Sequence, residues 1–225
     1  MLKVDVPLVI IAFNRPDLLK ILMNKLKNIT FEKVYFIVDG PRENHLTDHV
    51  KVDEVVKIIE ATQFAVNRKV IRSMVNLGCK NRIVSGLSEV FSIEEKAIIL
   101  EDDCIPSLSF FDYCESMLIN FQNDKRIFQI SGSNLLGTFE TSNDIVFAET
   151  GTIWGWATWA DRWATYDVNM TNFSKLSRDK PFIEAMKNLP GWKFRWKAFN
   201  STFNGRIDTW DYQWIWARFV NRGLV

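Results

Sequence analysis

The sequence is sparing with the residues that mark many protein classes. Its three cysteines, Cys79, Cys104 and Cys114, are odd in number and lack metal-ligand spacing. That pattern suggests a reducing compartment, read as cytoplasmic, with each thiol serving as a small buried hydrophobe. The two histidines, His45 and His49, stand four apart without the glutamate beside the first that a zinc-protease helix requires. They read as exposed polar residues near a helix start. Charge is nearly balanced, at a net +1, so no global field favours nucleic acid, and membrane association is peripheral at most. No run approaches the ~20 apolar residues of a bilayer span. The opening MLKVDVPLVIIAF has no small-residue cleavage site and does not read as a signal peptide. G-x-G-x-x-G, P-loop and G-x-S-x-G patterns are all absent, which argues against dinucleotide enzymes, P-loop kinases and hydrolases built on a nucleophile elbow.

What remains is a 225-residue chain with 47% apolar and 24% charged residues, enough for one α/β domain with a real core. Tryptophan is the uneven ingredient. All nine lie between Trp154 and Trp216, so two parts with different tasks are expected: 1–131 binding a nucleotide-sugar and 132–225 holding the acceptor and catalytic base. The last residues, Asn221–Val225, read as a turn into another strand, the pattern of a chain cut short.

In the first part, apolar runs of strand length alternate with segments of helical period. Strands are expected at Pro7–Phe13, Val34–Val38, Val70–Ser73, Ala97–Leu100 and Arg126–Ser131. Helices are expected from Pro16, with Leu18, Leu19, Leu22 and Leu26 on one face, and over Leu46–Thr62, Asn81–Ser92 and Leu108–Asn123. This rhythm predicts a mainly parallel sheet with right-handed crossovers and helices on both faces. Beyond Ser131 the pattern turns irregular: Ile145–Ala148 reads as a strand, Gly155–Tyr166 as a short helix, Pro190-Gly191 as a helix opening and Thr209–Asn221 as a nearly all-apolar helix.

Ligands of such sheets sit outside the carboxyl ends of the strands. Phe13-Asn14-Arg15, Asp39-Gly40 and Glu101-Asp102-Asp103 all fall there. Three successive carboxylates repel one another unless a cation stands near. Mg²⁺ or Mn²⁺ suits an all-oxygen site shared between one or two carboxylates and a ligand's phosphates. An acidic loop capping a helix accounts for the same tripeptide, and Asp39 taken alone reads as a turn former before Gly-Pro. Arg15, and Arg82 after the Gly78 turn, could pair with phosphates or simply be solvated. In IDTWDYQWIW, Asp208 and Asp211 stand three apart at a helix start among Trp210, Trp214 and Trp216. An aromatic, partly dry setting favours proton uptake by a carboxylate, as a general base requires. Aromatic faces also stack on sugars, which makes Trp154, Trp156, Trp210 and Trp214 candidate acceptor contacts. Core packing is the competing account of the tryptophans.

Taken together, PLVIIAFNRPDLL, VYFIVDGPR, the NLG turn and AIILEDDCIPSLSFFDY resemble the nucleotide-binding half of a GT-A glycosyltransferase, as in family 2-like enzymes. The later GWATWADRW and WDYQW resemble the acceptor half of relatives of the Golgi N-acetylglucosaminyltransferase that initiates complex N-glycans. The resemblance spans roughly Val6 to Trp216. It implies a GT-A fold and inverting transfer from a nucleotide diphosphate sugar, with UDP expected, to a hydroxyl of a glycan or glycoconjugate. Separately, the short sequence without an apolar anchor suggests a setting such as bacterial surface polysaccharide or glycoprotein assembly. The resemblance also implies Asp103 as ligand of Mn²⁺ or Mg²⁺, with Glu101 and Asp102 acting through ribose or metal-bound water. Arg15 would lie near the nucleotide, Asp39 would contact uracil, and Arg82 matches a donor-side position loosely. Phe13, Asn14 and Gly78 complete the expected donor contacts. Asp211 matches the catalytic base, but the relatives carry two adjacent acids where this chain has Asp211-Tyr212, which keeps Asp208 as a second candidate. A sugar-nucleotide nucleotidyltransferase and a non-catalytic carbohydrate-binding protein are the competing readings. The first would want a Gly-rich basic loop where this chain has Phe13-Asn14-Arg15-Pro16.

Overall fold

The computed structural model describes residues 2–134, 137 and 143–225. Its frame is a seven-stranded sheet, among the described residues, with helices on both faces. The strands are β1 (Leu2–Val4), β2 (Leu8–Ala12), β3 (Ile29–Val38), β4 (Ala65–Arg72), β5 (Lys96–Glu101), β6 (Ile130–Ser131) and β7 (Trp156–Trp159). β3 pairs with β4 on one side and with β1 and β2 on the other; the sheet then continues through β5 and β7 to β6. β1 to β5 are mutually parallel, and β7 runs antiparallel to both β5 and β6. The mostly parallel α/β architecture therefore matches the expectation. All five residues of β2 are buried, as a strand covered on both faces requires.

Period-two alternation divides the core between the faces. Leu8, Ile10, Val34, Phe36, Ile98 and Leu100 point to one side. There they meet α1 (Pro16–Leu26), α2 (Asp48–Glu60) and α4 (Leu108–Asn120) through residues such as Leu22, Val55 and Phe111. Val9, Ile11, Ile37 and Ile99 point the other way, against α3 (Gly78–Phe91) and α9 (Asp211–Val220). A smaller apolar cluster joins α6 (Phe173–Leu176), α7 (Lys180–Lys187) and α8 (Trp192–Phe203) to Trp216 of α9.

Several local expectations are corrected. Gly155–Tyr166 is not one helix: Trp156–Trp159 is strand β7, and only Ala160–Trp163 (α5) is helical. β7 extends because it fills the gap between β5 and β6, and backbone pairing there overrides the local pattern. Ile145–Ala148 forms no strand, although Ala148 exchanges two backbone hydrogen bonds with Val225 (2.9 and 2.8 Å). The strand expected over Arg126–Ser131 shrinks to Ile130–Ser131, with a single bridge from Ile127 to Leu224. No helix among the described residues is long and apolar enough to cross a membrane.

Indole hydrogen bonds from β7, α5 and α9 fasten the tryptophan-rich part of the chain to the rest. Trp159 Nε1 donates to the Leu118 carbonyl (3.1 Å), Trp163 Nε1 to Ser88 Oγ (3.1 Å) and Trp214 Nε1 to Gln129 Oε1 (2.9 Å). Each bond joins a residue beyond Ser131 to one before it. Gln129 is fully buried, so losing the indole would leave its oxygen without that donor. Trp214→Phe is expected to lower stability by about 1–3 kcal/mol from the orphaned acceptor alone, read as a lower urea midpoint. An unchanged midpoint would mean the bond is not a structural tie.

Candidate functional site

Four chain segments converge at the carboxyl edge of the sheet. They follow β2 (Phe13-Asn14-Arg15), β3 (Asp39-Gly40), β5 (Asp102-Asp103) and β6 (Gly132-Ser133). Because β7 runs the opposite way, the residues before it, Trp154 and Gly155, reach the same edge. There Gly132 N donates to the Gly155 carbonyl (2.8 Å) and Ser133 Oγ to that of Trp154 (2.8 Å).

Arg15 is the electrostatic hinge of this edge. It forms ion pairs with Asp102 and, at 2.8 Å, with Asp103. Asp102 is 1% exposed, and the Arg15 guanidinium is the charged partner of its carboxylate. Burial raises the Asp102 carboxyl against the opposing pull of Arg15. Burial also pushes Glu101 up to about 7, with Asp103 and Asp102 adding to the push. Arg15 itself loses hydration, yet the attraction of the two aspartates outweighs that loss and raises it. One guanidinium thus faces three carboxylates, an imbalance that a hard divalent cation would correct. Asp103 and Asp102 offer the oxygen chemistry such an ion takes. Among the described residues no group of three or more His, Cys, Asp or Glu side chains is arranged to enclose one, so a ligand's oxygens would have to complete its shell.

Beside the acidic tip lies a cleft of about 460 Å³, bounded by the ends of β2, β3 and β5 and the start of α3. Phe13, Asn14, Arg15, Asp39, Gly78, Arg82, Glu101 and Asp102 all line it, so every donor-side candidate falls in one place. Their tasks differ from one another. Asp39 accepts from the backbone N–H of Gly40 (2.9 Å), Leu77 (2.9 Å) and Gly78 (3.0 Å), and from Asn76 Nδ2 (3.1 Å). These four bonds fill a carboxylate's usual acceptor capacity and anchor the first N–H groups of α3. Asp39 therefore shapes the cleft wall, and the base contact expected of it would compete with these bonds. Gly40 is required in that wall, because a Cβ there would lie 2.5 Å from the Val75 carbonyl carbon. Arg82 is buried with Nε lacking a partner among the described residues, and burial lowers it against the pull of Asp39 and Glu89. An orphaned guanidinium donor in a cleft invites an anionic oxygen.

Arg42 was not singled out from the sequence. It lines the same cleft, with its guanidinium 5.5 Å from the Phe13 ring centroid. Its Nε and Nη2 donate to buried Asp48 (2.6 and 3.1 Å), which also accepts from Asn14 Nδ2 (2.8 Å). DGPR, directly after the second strand, was the available signal, since the proline turn fixes where the next side chain points.

A second cleft, of about 490 Å³, is lined by Asp103, Ser107, Phe110, Ser133 and Trp154 among others. A third, of about 240 Å³, is lined by Trp154, Arg195, Asp211 and Tyr212 among others. Trp154 is common to both, and Asp211 lies close enough for its charge to push Glu101 upward slightly. Asp211 opens α9 and accepts from Thr209 Oγ1, whereas Asp208 is 70% exposed and paired with Lys80 at 2.7 Å.

The acceptor tryptophans need correction. Trp154 is 59% exposed and presents a free surface, but Trp156, Trp210 and Trp214 are 1%, 3% and 0% exposed. Trp156 stacks on Trp210 at 5.8 Å and lies 5.6 Å from Trp214. These three are core, buried between β7 and α9, and have no face to offer a sugar.

Neither known family models nor curated proteins give a match to the chain.

The Asp48 cluster supports a prediction of pH dependence. The Arg42 hydrogen bonds hold the Asp48 carboxyl well below its ordinary value of 3.8. A depressed carboxylate contributes stability that is fully present above its unfolded pKa and is lost as pH falls towards the folded value. Asp48→Asn is therefore expected to be less stable than wild type at pH 7, with the gap in urea midpoint closing below about pH 4. A gap independent of pH would contradict the pairing.

Proposed function

We propose that the protein is a metal-dependent inverting glycosyltransferase with a GT-A-type donor half, using a nucleoside diphosphate sugar. The observation that supports it best is the acidic tip of β5, where buried Asp102 and exposed Asp103 share the one Arg15 guanidinium beside a cleft that Arg82 and Arg42 also line. Carboxylates alone would repel a diphosphate, and arginines alone would need no acids. Both together suit a diphosphate sharing a cation with the protein. The cleft's roughly 460 Å³ suits a nucleotide-sized ligand.

In this reading Asp103, with Asp102 behind it, holds Mn²⁺ or Mg²⁺, which when bound supplies charge neutralisation to the departing diphosphate. Arg15 and Arg82 bind phosphate oxygens, and Phe13 offers an apolar face to the nucleoside. Asp211 is favoured over Asp208 as base because it lines the cleft shared with Trp154, while Asp208 is spent on Lys80. Asp211 takes the proton of an acceptor hydroxyl as that oxygen bonds to the anomeric carbon. The bond from that carbon to the diphosphate breaks on the opposite face, and the configuration inverts. Trp154 bounds both the cleft at Asp103 and the cleft at Asp211, as a wall between donor sugar and acceptor would.

Calorimetric titration of UDP is expected to show binding that requires Mn²⁺ and weakens at least roughly tenfold in Asp103→Asn, the loss of one charged contact. Asp211→Asn is expected to keep that binding and lose sugar transfer. Nucleoside diphosphate binding indifferent to both metal and Asp103, or full transfer by Asp211→Asn, would overturn the assignment.

A further inference from the structure

α8 separates two grooves. On one side Arg195, with Phe194 and Phe199, lines the cleft that holds Asp211 and Trp154. On the other, Trp192 and Trp196 line a groove of about 520 Å³ together with Arg178, Lys180 and Lys187. The two tryptophans stand four apart, one helical turn, so they share a face.

Charge is concentrated around this helix. From Lys175 to Arg206 eight Lys and Arg stand against two acids, Asp179 and Glu184, a net +6 in a chain whose total is +1. Both acids are engaged locally: Asp179 caps α7 by accepting from Phe182 N (2.9 Å), and Glu184 pairs with Lys187 (2.7 Å). Nearby, Arg218 of α9 is 1% exposed, with Nε and Nη1 lacking partners among the described residues. Burial lowers Arg218, and the charge of Arg195 lowers it further. Arg218 lines neither groove, so its charge adds to the positive field beneath Arg195 rather than contacting a ligand directly.

We propose that the grooves on both sides of α8 form an extended acceptor site for a negatively charged glycan, one bearing carboxylate or phosphate groups, with its reacting end at Asp211. The proposal rests on the glycosyltransfer reading and specifies its acceptor class. Neutral sugars present hydroxyls that both donate and accept, and their sites need acceptors as well as donors. Of the five polar residues around Trp192 and Trp196, Arg178, Lys180 and Lys187 are cations that donate only, Glu184 is taken up by Lys187, and Ser177 adds a hydroxyl. Such a lining suits acceptor-rich anions, while the indole faces take the apolar faces of sugar rings. A flat anionic membrane would satisfy exposed lysines but would not enter a groove.

The test is direct binding, with donor binding as an independent channel. Wild type is titrated with oligogalacturonate, phosphomannan fragments and neutral maltooligosaccharide of equal length, at low and high salt. UDP with Mn²⁺ is titrated on the same samples. At least one anionic glycan is expected to bind roughly tenfold tighter than the neutral one, with affinity falling as salt rises. Arg195→Gln and the double variant Lys180→Glu/Lys187→Glu are each expected to weaken it about tenfold or more, leaving UDP binding intact. Arg195→Lys should recover much of the loss, and Lys51→Glu, an exposed reversal on α2, should change nothing. Equal affinity for neutral glycan, or indifference to Arg195→Gln, overturns the proposal. So does binding to phosphatidylglycerol vesicles without binding to either soluble anionic glycan. Loss of UDP binding in wild type would instead sink the transferase reading while leaving the glycan measurement to stand by itself.

Discussion

Three carboxylates leave the end of β5 together, and one arginine from the end of β2 stands against them. That imbalance organises the carboxyl edge of the sheet. Asp102 is buried beneath the tip, Asp103 reaches the surface, and Arg15 contacts both. Parallel pairing of β2 with β5 is what brings Arg15 and the acids to one edge, since both strands end there. A buried carboxylate opposed by half a shared guanidinium is a costly arrangement, and such costs are commonly tolerated where a ligand offsets them.

The surroundings divide the labour. Asp39 spends its oxygens on the turn before α3, so the cleft wall is rigid and Arg82, one turn into that helix, is fixed in place. Asp48 does the same for Asn14 and Arg42 at the opposite lip. Beyond the acids, β7 joins β5 to β6 with its tryptophans turned inward, and the short stretch before it lifts Trp154 out between two clefts. Cations gathered around α8 give the far side a positive field that the chain's nearly neutral total conceals.

Much of this was legible in the sequence because parallel strands buried on both faces are continuous apolar runs, as β2 and β5 are. Their ends could be located to within a residue or two, and with them Asn14-Arg15, Asp39 and Glu101–Asp103. β4 was expected too short because it is a mostly exposed edge strand whose start, Ala65-Val66-Asn67, lacks apolar continuity. β7 was missed because WATW has no strand pattern of its own and is extended by its two neighbours. The tryptophans were the hardest to apportion. Period and composition do not distinguish an indole that fills a core from one that faces a cleft. Trp156 and Trp154, two residues apart, took opposite roles once the strand began between them.

The most direct test of a shared cation at the β5 tip is a crystal grown with UDP and Mn²⁺, with anomalous scattering recorded near the manganese edge. The expected result is a manganese peak between Asp103 and the diphosphate, with the uridine in the cleft beside Phe13 and Arg15 turned towards phosphate. A nucleotide bound elsewhere, or manganese absent from Asp103 while the nucleotide occupies the cleft, would contradict it.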